Sequence, residues 1–223
     1  MKFGKRSTPR SGVAAVIVVA LAAGGLAYEM AMQSQSLVTA AAAASGLSAS
    51  LMKRIETDAN TPIGGNSLGS VTITEFFDYR CPYCRMMEPT LDAVVGQDRR
   101  VRLVFKEWPI FGGASVEASR VALAAQWQGK YVAVHRALFS LPRAMDDAAI
   151  RQAAAGAGVD MTKLDSDMAT RGKEIDAALA TVDSEARRIG FQGTPGFVIG
   201  NIVAPGAIPK AEMTKLIDDA ARK

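Results

Sequence analysis

Residues 76–84 read FFDYRCPYC and contain the only two cysteines of this 223-residue chain, Cys81 and Cys84. The segment from residue 71 to residue 77 carries the β-branched and aromatic side chains that are typical of a strand. The segment that begins at Cys81 shows helical spacing. Two cysteines separated by two residues, where a strand meets a helix, predict a redox-active dithiol.

The position of each cysteine predicts its role in thiol–disulfide exchange. Pro82 suits the first turn of a helix, so the sulfur of Cys81 should lie beside unpaired backbone N–H groups at the positive end of the helix dipole. These groups stabilise a thiolate and lower its pKa, which makes Cys81 the attacking nucleophile. Cys84, one turn further along, should face the protein and resolve a mixed disulfide formed by Cys81.

Other uses of two closely spaced cysteines have less support. A structural disulfide of this spacing closes a loop too short to remove much chain entropy. Structural zinc needs four ligands, but the chain has no second cysteine pair and a single histidine, His135. His135 shares an apolar helical stripe with Tyr131 and Val134, so we expect a core histidine. We expect no resident metal, although transient binding of a soft ion such as Cu(I) by the two thiolates stays open.

Glu75 is the one acidic residue in the predicted strand that precedes the cysteines. It shares a strand face with Val71, Ile73 and Phe77, so burial of that face would place a carboxyl group in the core. A buried acid has a raised pKa and can exchange a proton with Cys84. If Glu75 lies at an exposed strand end instead, its carboxylate is solvated.

The patterns that follow predict an α/β domain over residues 61–223. A second strand at residues 101–105 follows the first helix, which gives a βαβ unit with parallel strands. Residues 114–190 show helical periodicity with hardly a strand signal, and a hairpin then surrounds the turn at Gly200. A final helix begins at Pro209. We therefore expect a sheet with an inserted helical subdomain.

The first 28 residues predict a membrane-targeting helix that exports the domain. Four basic residues and no acid occupy the first ten positions, and residues 11–28 carry no charge. The segment is either a cleaved signal peptide or an uncleaved signal anchor whose basic end stays in the cytoplasm. Residues 29–60 are rich in Ala, Ser, Gln and Met and predict a linker or stalk with helical stretches. Pro and Gly punctuation at residues 61–67 marks the domain boundary.

The charge balance argues against a protein that binds nucleic acid. The chain has 26 basic and 22 acidic side chains, for a formal net charge of +4. The four surplus basic residues lie in the first ten positions, so the remaining 213 residues balance at 22 against 22. The predicted domain is close to neutral, and we expect no nucleic-acid partner.

Two segments, residues 76–84 and GTPGFVIG at residues 193–200, resemble the DsbA-like family of thiol:disulfide oxidoreductases in the thioredoxin superfamily. The resemblance implies a thioredoxin-like fold with a helical insertion. It implies that Cys81 and Cys84 form a redox-active disulfide, and no further cofactor is expected. The family's cis-proline, which lies against the dithiol and shapes the peptide-binding groove, falls on Pro195.

The resemblance also implies the residues around the dithiol. Pro82 and Tyr83, together with Thr194 before the cis-proline, are expected to contact substrate. Tyr83 departs from the Pro-His dipeptide of the best-known DsbA pattern and lacks a side chain that helps to hold the thiolate. Related enzymes carry a buried charged group near the resolving cysteine, which includes an acid matching Glu75. The placements of two other charged residues, Glu88 and Lys106, suggest the same assignment.

These features together predict an exported thiol:disulfide oxidoreductase in the bacterial periplasm, anchored in the inner membrane through residues 11–28 or released from it. Its expected partners are unfolded or misoxidised secreted proteins and a membrane redox partner. Oxidation is the favoured direction because the periplasm is kept oxidising. The alternatives are an isomerase or reductase, as in the ScsC-like branch that the sequence also resembles, and a non-catalytic chaperone-like or copper-binding module. The apolar loop at residues 108–113 either borders the dithiol or is a packed connection.

Overall fold

The computed structural model describes residues 49–58 and 61–222. The domain in these ranges alternates strands and helices around one mixed sheet. The elements, in chain order, are α1 (Ala49–Thr57), β1 (Ile63–Gly65), β2 (Val71–Phe77), α2 (Pro82–Gln97), β3 (Val101–Glu107), α3 (Ala114–Ala125), a 3₁₀ helix (Gln126–Gln128), α4 (Tyr131–Ser140), α5 (Asp147–Gly156), α6 (Met161–Ile189), β4 (Gly196–Ile199), β5 (Ile202–Pro205) and α7 (Lys210–Ala221).

The sheet places β2 at its centre. In the described part of the chain the sheet has five strands in the order β1-β3-β2-β4-β5. β2 and β3 run parallel, from Val71 opposite Val101 to Phe77 opposite Glu107, and α2 connects them. The other three pairs are antiparallel. The strand that leads into the cysteines is therefore held by a neighbour on each side.

Helices cover both faces of β2, so its side chains are buried in two separate clusters. On one face, Ile73 and Phe77 pack with α2 and with the helices that follow β3. On the other face, Phe76 packs with Trp108 and with α1. Successive side chains of a strand point to opposite faces, so Glu75 lies on the same face as Ile73 and Phe77. The carboxyl group is therefore in the core.

The predicted order of elements agrees with the structure, with differences at the ends. β3 continues to Glu107, and the helices between β3 and β4 span residues 114–189. Pro209 is the N-cap of α7 rather than its first helical residue. The sequence did not predict β1, a three-residue edge strand that ends at Gly65 with a φ of +67°. The strand is too short, and too rich in glycine, to show alternation.

Helix α1 corrects the predicted linker. Residues 49–57 form a helix, and its Leu51 and Ile55 are buried in the cluster with Phe76 and Trp108. These two apolar residues are four positions apart, so they share one helix face. The helix agrees with the helical stretches predicted within residues 29–60, but its buried face belongs to the packed domain, which therefore begins before residue 61.

The predicted membrane-targeting segment, residues 11–28, lies outside the described residues and stays a prediction. Within residues 49–58 and 61–222, no helix is both long enough and apolar enough to cross a membrane.

We expect Ile55→Ala to lower the free energy of unfolding by about 2–4 kcal/mol, because the side chain is fully buried. Lys53→Ala, at an exposed position of the same helix, should change that free energy by less than about 0.5 kcal/mol. Urea unfolding followed by circular dichroism measures both. Equal effects for the two variants would show that α1 does not contribute to the folded core.

Candidate active site

The first cysteine lies at the junction of β2 and α2. Cys81 is the N-cap of α2 in an extended backbone conformation, and Pro82 occupies the first turn. The backbone N–H of Cys81 donates to the backbone oxygen of Asp78 at 3.0 Å. The first turn leaves its backbone N–H groups without helical partners, and the Cys81 sulfur lies at this end of the helix.

Asp78 fixes the three-residue loop between β2 and Cys81. Its buried carboxylate accepts hydrogen bonds from the Arg80 N–H at 2.8 Å, the Phe111 N–H at 3.0 Å and the Ser115 hydroxyl at 2.7 Å. These donors come from three parts of the chain, so the carboxylate ties the cysteine loop to the loop after β3 and to α3. The sequence analysis did not single out Asp78, although an acid directly after a buried strand is a local signal.

Three arginines join the loop and helix that carry the dithiol to the helical insertion. Arg85 Nη1 donates to the backbone oxygens of Phe139 at 2.6 Å and Leu141 at 2.5 Å, at the carboxyl end of α4. Arg80 and Arg143 each donate from Nε to the other's backbone oxygen. The insertion is thus bonded to the loop and helix that carry the dithiol.

Both cysteines are free thiols in the structure, and both are buried. The Cys81 thiol donates to the backbone oxygen of Thr194 at 3.2 Å, and the Thr194–Pro195 peptide bond is cis. The structure therefore brings the predicted Thr194–Pro195 segment, more than a hundred residues away in sequence, against the dithiol.

The surroundings lower the pKa of Cys81 to about 6. The largest cause is a hydrogen bond that the Cys84 thiol gives to the Cys81 sulfur, and the side chain of Thr194 and the backbone N–H groups of Tyr83 and Cys84 add to it. Burial opposes these contributions but is smaller than the first of them. Since the Thr194 backbone oxygen can only accept, its bond is lost when the thiol ionises. At neutral pH, Cys81 is a thiolate and can act as the nucleophile.

Cys84 has the opposite character. Burial raises its pKa far above that of a free cysteine, and the hydrogen bond that it gives to Cys81 and the nearby Glu75 carboxyl raise it further. Cys84 therefore keeps its proton while Cys81 gives its proton up. When Cys84 attacks a mixed disulfide it must lose this proton, and when it is released from a disulfide it must gain one.

Glu75 is fully buried, as expected if its strand face lies in the core. Neither carboxyl oxygen has a hydrogen-bond partner in the described part of the chain. Burial raises its pKa well above the usual range, and the negative charges of Glu88, Glu107 and Cys81 raise it further. The group is therefore protonated over a wide pH range and electrostatically coupled to both cysteines.

Lys106 is on the opposite face of the sheet from Glu75. In the strand register Glu75 pairs with Phe105, and Lys106 pairs with Phe76. Lys106 Nζ lies 3.0 Å from Glu185 Oε2 on α6. The suggestion that Lys106 joins a charged group near the resolving cysteine is therefore wrong, because a shift of one residue along a strand changes the face.

Sequence reasoning missed a second buried acid, Glu107. Its Oε1 accepts hydrogen bonds from the hydroxyls of Tyr79 at 2.8 Å and Tyr131 at 2.7 Å, and its Oε2 accepts one from Ser119 at 2.7 Å. Burial raises the pKa of Glu107 to about 7, although the charge of His135 and the three hydroxyl donors favour the carboxylate. The donors come from three separate elements, so no local sequence pattern signals this cluster.

His135 is a core residue, as expected, and it also contacts the buried acids. Its ring lies among aromatic rings that include Phe77 and Phe105. Its Nδ1 is 3.1 Å from the Tyr79 hydroxyl, and its Nε2 is 3.4 Å from Glu88 Oε2. Glu88 thus lies at the buried acidic group, as the sequence suggested, with an imidazole facing it.

Apolar side chains are exposed next to the dithiol. Tyr83 and Met86 on α2 are 60% and 58% exposed. The loop at residues 108–113 was predicted either to border the dithiol or to be a packed connection, and different residues of it do each. Trp108 is buried and donates to Asp183 at 2.9 Å, whereas Phe111 is half-exposed and is bonded through its N–H to Asp78. This surface suits contact with apolar segments of an unfolded chain.

In residues 49–58 and 61–222, no group of three or more His, Cys, Asp or Glu side chains is placed to hold a metal ion. The site therefore offers its two sulfurs and the neighbouring acids, and this arrangement suits thiol–disulfide exchange.

Comparison with known proteins agrees with this chemistry. The family model described as DSBA-like thioredoxin domain matches residues 72–218. A thioredoxin-like oxidoreductase from Silicibacter pomeroyi is 38% identical, with a TM-score of 0.73 over 77% of this chain and 98% of that chain. The catalytic domain of Proteus mirabilis ScsC is 26% identical, with a TM-score of 0.71 over 78% of this chain and 97% of that chain. The thiol:disulfide interchange protein DsbA of Bordetella pertussis is 28% identical over 149 residues, or 63% of this chain and 68% of that protein.

Titration of the reduced protein, followed by thiolate absorbance, should give one cysteine with a pKa of about 6. Cys84→Ala removes the largest cause of this low value, so the pKa of Cys81 should rise. Cys84→Ser keeps a hydroxyl donor and should raise it less. If both variants leave the pKa of Cys81 unchanged, the hydrogen bond from Cys84 is not its cause.

The same pKa predicts how the stability of the reduced form depends on pH. The folded-state pKa lies below the value of about 8.5 for an unfolded cysteine, so ionisation of Cys81 stabilises the fold. This contribution is full above that value and is lost as the pH falls through 6. Between pH 5 and 8, thermal unfolding should show the reduced form gaining stability relative to the disulfide form. A constant difference would contradict the low pKa.

Proposed function

Since the chain belongs to the DSBA-like thioredoxin domain family and is a thiol:disulfide oxidoreductase, we propose that it donates disulfide bonds to exported proteins through Cys81 and Cys84. The observation that carries this proposal is the opposite protonation of the two sulfurs. A stabilised Cys81 thiolate favours the reduced form of the dithiol, which makes the disulfide form a better oxidant.

In the oxidising direction, a substrate thiolate attacks the Cys81 sulfur of the enzyme disulfide. The bond between the two enzyme sulfurs breaks, and its electron pair goes to the Cys84 sulfur, which takes up a proton. Glu75 is the proposed source of this proton, because it is a protonated acid coupled to Cys84. A second substrate thiolate then attacks the mixed disulfide at the substrate sulfur. The substrate leaves with a disulfide, and Cys81 leaves as a stabilised thiolate.

Substrate binding is assigned to the surface around Cys81. The backbone of Thr194–Pro195 lies against the sulfur, and Tyr83 presents an exposed ring one turn before Met86. Phe111 adds a further apolar group on the loop held by Asp78. An apolar surface of this kind accepts many sequences, as a donor of disulfides to unfolded proteins requires.

The proposed site of action is the bacterial periplasm, an oxidising compartment in which disulfides persist. The basic and apolar pattern of residues 1–28 supports export. A solved relative described as a periplasmic thioredoxin-like protein from Salmonella enterica is 26% identical, with a TM-score of 0.68. Catalysis in the oxidising direction requires that a membrane redox partner reoxidise the reduced dithiol.

We expect Cys81→Ser to abolish oxidation of a reduced two-cysteine peptide, because this variant cannot form the Cys81–Cys84 disulfide that the substrate thiolate attacks. Cys84→Ser, mixed with a single-cysteine peptide in its disulfide-linked dimeric form, should instead accumulate a mixed disulfide at Cys81 and release one peptide as a thiolate. Mass spectrometry detects this adduct. Binding of an unfolded chain to Cys81→Ser should persist. Turnover by Cys81→Ser would refute the proposed mechanism, and binding with no turnover by the unaltered protein would favour a non-catalytic module.

The equilibrium reduction potential tests the direction of electron flow. Titration of the dithiol against glutathione buffers should give about −200 mV or a less negative value, toward the −120 mV of strong oxidants. The Pro82-Tyr83 dipeptide lacks the histidine of the best-known oxidants, so we expect a value short of that extreme. A potential below about −200 mV, toward the −270 mV of thioredoxin, would overturn the oxidising direction and favour a reductase or isomerase.

A further inference from the structure

The acids Glu75, Glu88 and Glu107 and the imidazole of His135 form a buried acidic cluster. The hydrogen bonds around Tyr79 fix where the protons of this cluster lie. When Glu107 is a carboxylate, the Tyr79 hydroxyl donates its only proton to Glu107 Oε1 at 2.8 Å. The Tyr79 oxygen then has to accept the contact from His135 Nδ1 at 3.1 Å. His135 is therefore protonated at Nδ1. Its other nitrogen, Nε2, faces Glu88.

The contact between His135 and Glu88 requires one more proton. His135 Nε2 has no hydrogen-bond partner with good geometry in the described residues, and it lies 3.4 Å from Glu88 Oε2. Without a proton there, a nitrogen lone pair would face a carboxylate, which is repulsive. With one, the pair is either imidazolium and carboxylate or imidazole and carboxylic acid. Both forms are neutral overall, so the Glu88–His135 pair carries no net charge.

This neutrality affects Glu75. Burial is the largest cause of the raised pKa of Glu75, the negative charge of Glu88 is the second, and that of Glu107 is the third. Glu75 has no hydrogen bond within residues 49–58 and 61–222, and it acts electrostatically on Cys84. A negative Glu88 with no counter-charge would make Glu75 a weaker acid. A weaker acid transfers its proton to a leaving thiolate more slowly.

We propose that His135 is a positioning residue for the exchange reaction, which keeps one proton on the Glu88–His135 pair and so leaves Glu75 able to protonate Cys84. The proposal deepens the proposed function and rests on it. In the step concerned, the attacking thiolate forms a bond to the Cys81 sulfur, and the bond between the two enzyme sulfurs breaks. The electron pair goes to the Cys84 sulfur, and the proton moves from Glu75 to Cys84.

The groups that face Glu88 come from several elements. His135 and Arg136 face it from α4, Glu75 acts from β2, and Tyr79 acts from the loop before Cys81. Arg136 is exposed and pairs with Asp92, so water screens its effect. Glu88 itself is 15% exposed, whereas the His135 side chain is 2% exposed. Glu88 is therefore the member of the pair that contacts solvent.

The test measures the rate at which reduced glutathione opens the Cys81–Cys84 disulfide of the full chain. The rate is measured at pH 8 and is divided by the glutathione thiolate concentration. His135→Gln keeps polar groups but removes the imidazole proton. We expect this variant to be about fivefold slower than the unaltered protein, because the charge of Glu88 is then no longer compensated.

A second substitution distinguishes electrostatics from packing. Glu88→Gln removes the charge that His135 compensates, so the double variant Glu88→Gln/His135→Gln should recover to within about twofold of the unaltered protein at pH 8. Arg136→Gln is the matched control, because it removes an exposed positive charge next to His135 on the same helix. Its rate should stay within about twofold of that of the unaltered protein. The pKa of Cys81 should stay near 6 throughout, since none of these residues bonds to its sulfur.

An unchanged rate for His135→Gln, or no recovery in the double variant, would overturn the proposal. If His135→Gln does not fold, Glu88→Gln alone decides: it should be at least as fast as the unaltered protein at pH 8, and a slower rate would overturn the proposal. Failure of the proposed function gives a different result. In that case the unaltered disulfide would not react with glutathione at all, or Cys81→Ser would still turn over substrate.

Discussion

One turn of helix separates two sulfurs of very different proton affinity, and the other features of the site follow from that difference. Cys81 lies at the open end of α2, where backbone N–H groups and the Cys84 thiol stabilise its thiolate. Cys84 lies inside the protein, where burial favours the thiol. Exchange must therefore move a proton to or from a buried sulfur in each cycle. In the proposed mechanism, the buried acid Glu75 supplies a site for that proton.

The alternation of side chains along β3 separates two kinds of buried charge. Lys106 points to the face covered by α1 and α6, where Glu185 neutralises it. Glu107 points to the face that also holds Glu75, where hydroxyl groups stabilise it. The lysine therefore cannot compensate the acids near the dithiol. On that face, His135 is the group that faces Glu88.

Local patterns in the sequence were sufficient to predict the dithiol and the central strands, and to place Glu75 on the strand face of Val71, Ile73 and Phe77. Each of these depends on residues within a few positions of one another, through helix capping or strand alternation. Contacts between distant segments were not predictable in this way. Glu107 meets Tyr131 across 24 positions and Tyr79 across 28. Helix α1 shows only two strongly buried residues, too few for a periodic signal.

The inserted helices do more than cover the sheet. They supply Tyr131 and Ser119 to Glu107, and His135 to Glu88. They also receive the hydrogen bonds of Arg85, which holds α2 against the end of α4. A sheet and α2 without these helices would keep the two cysteines but leave two acidic side chains without partners. An unpaired carboxylate is costly to bury. The insertion is therefore part of the electrostatic environment of the dithiol, and in the proposed mechanism its helices act on the protonation of Cys84 through Glu88 and Glu75.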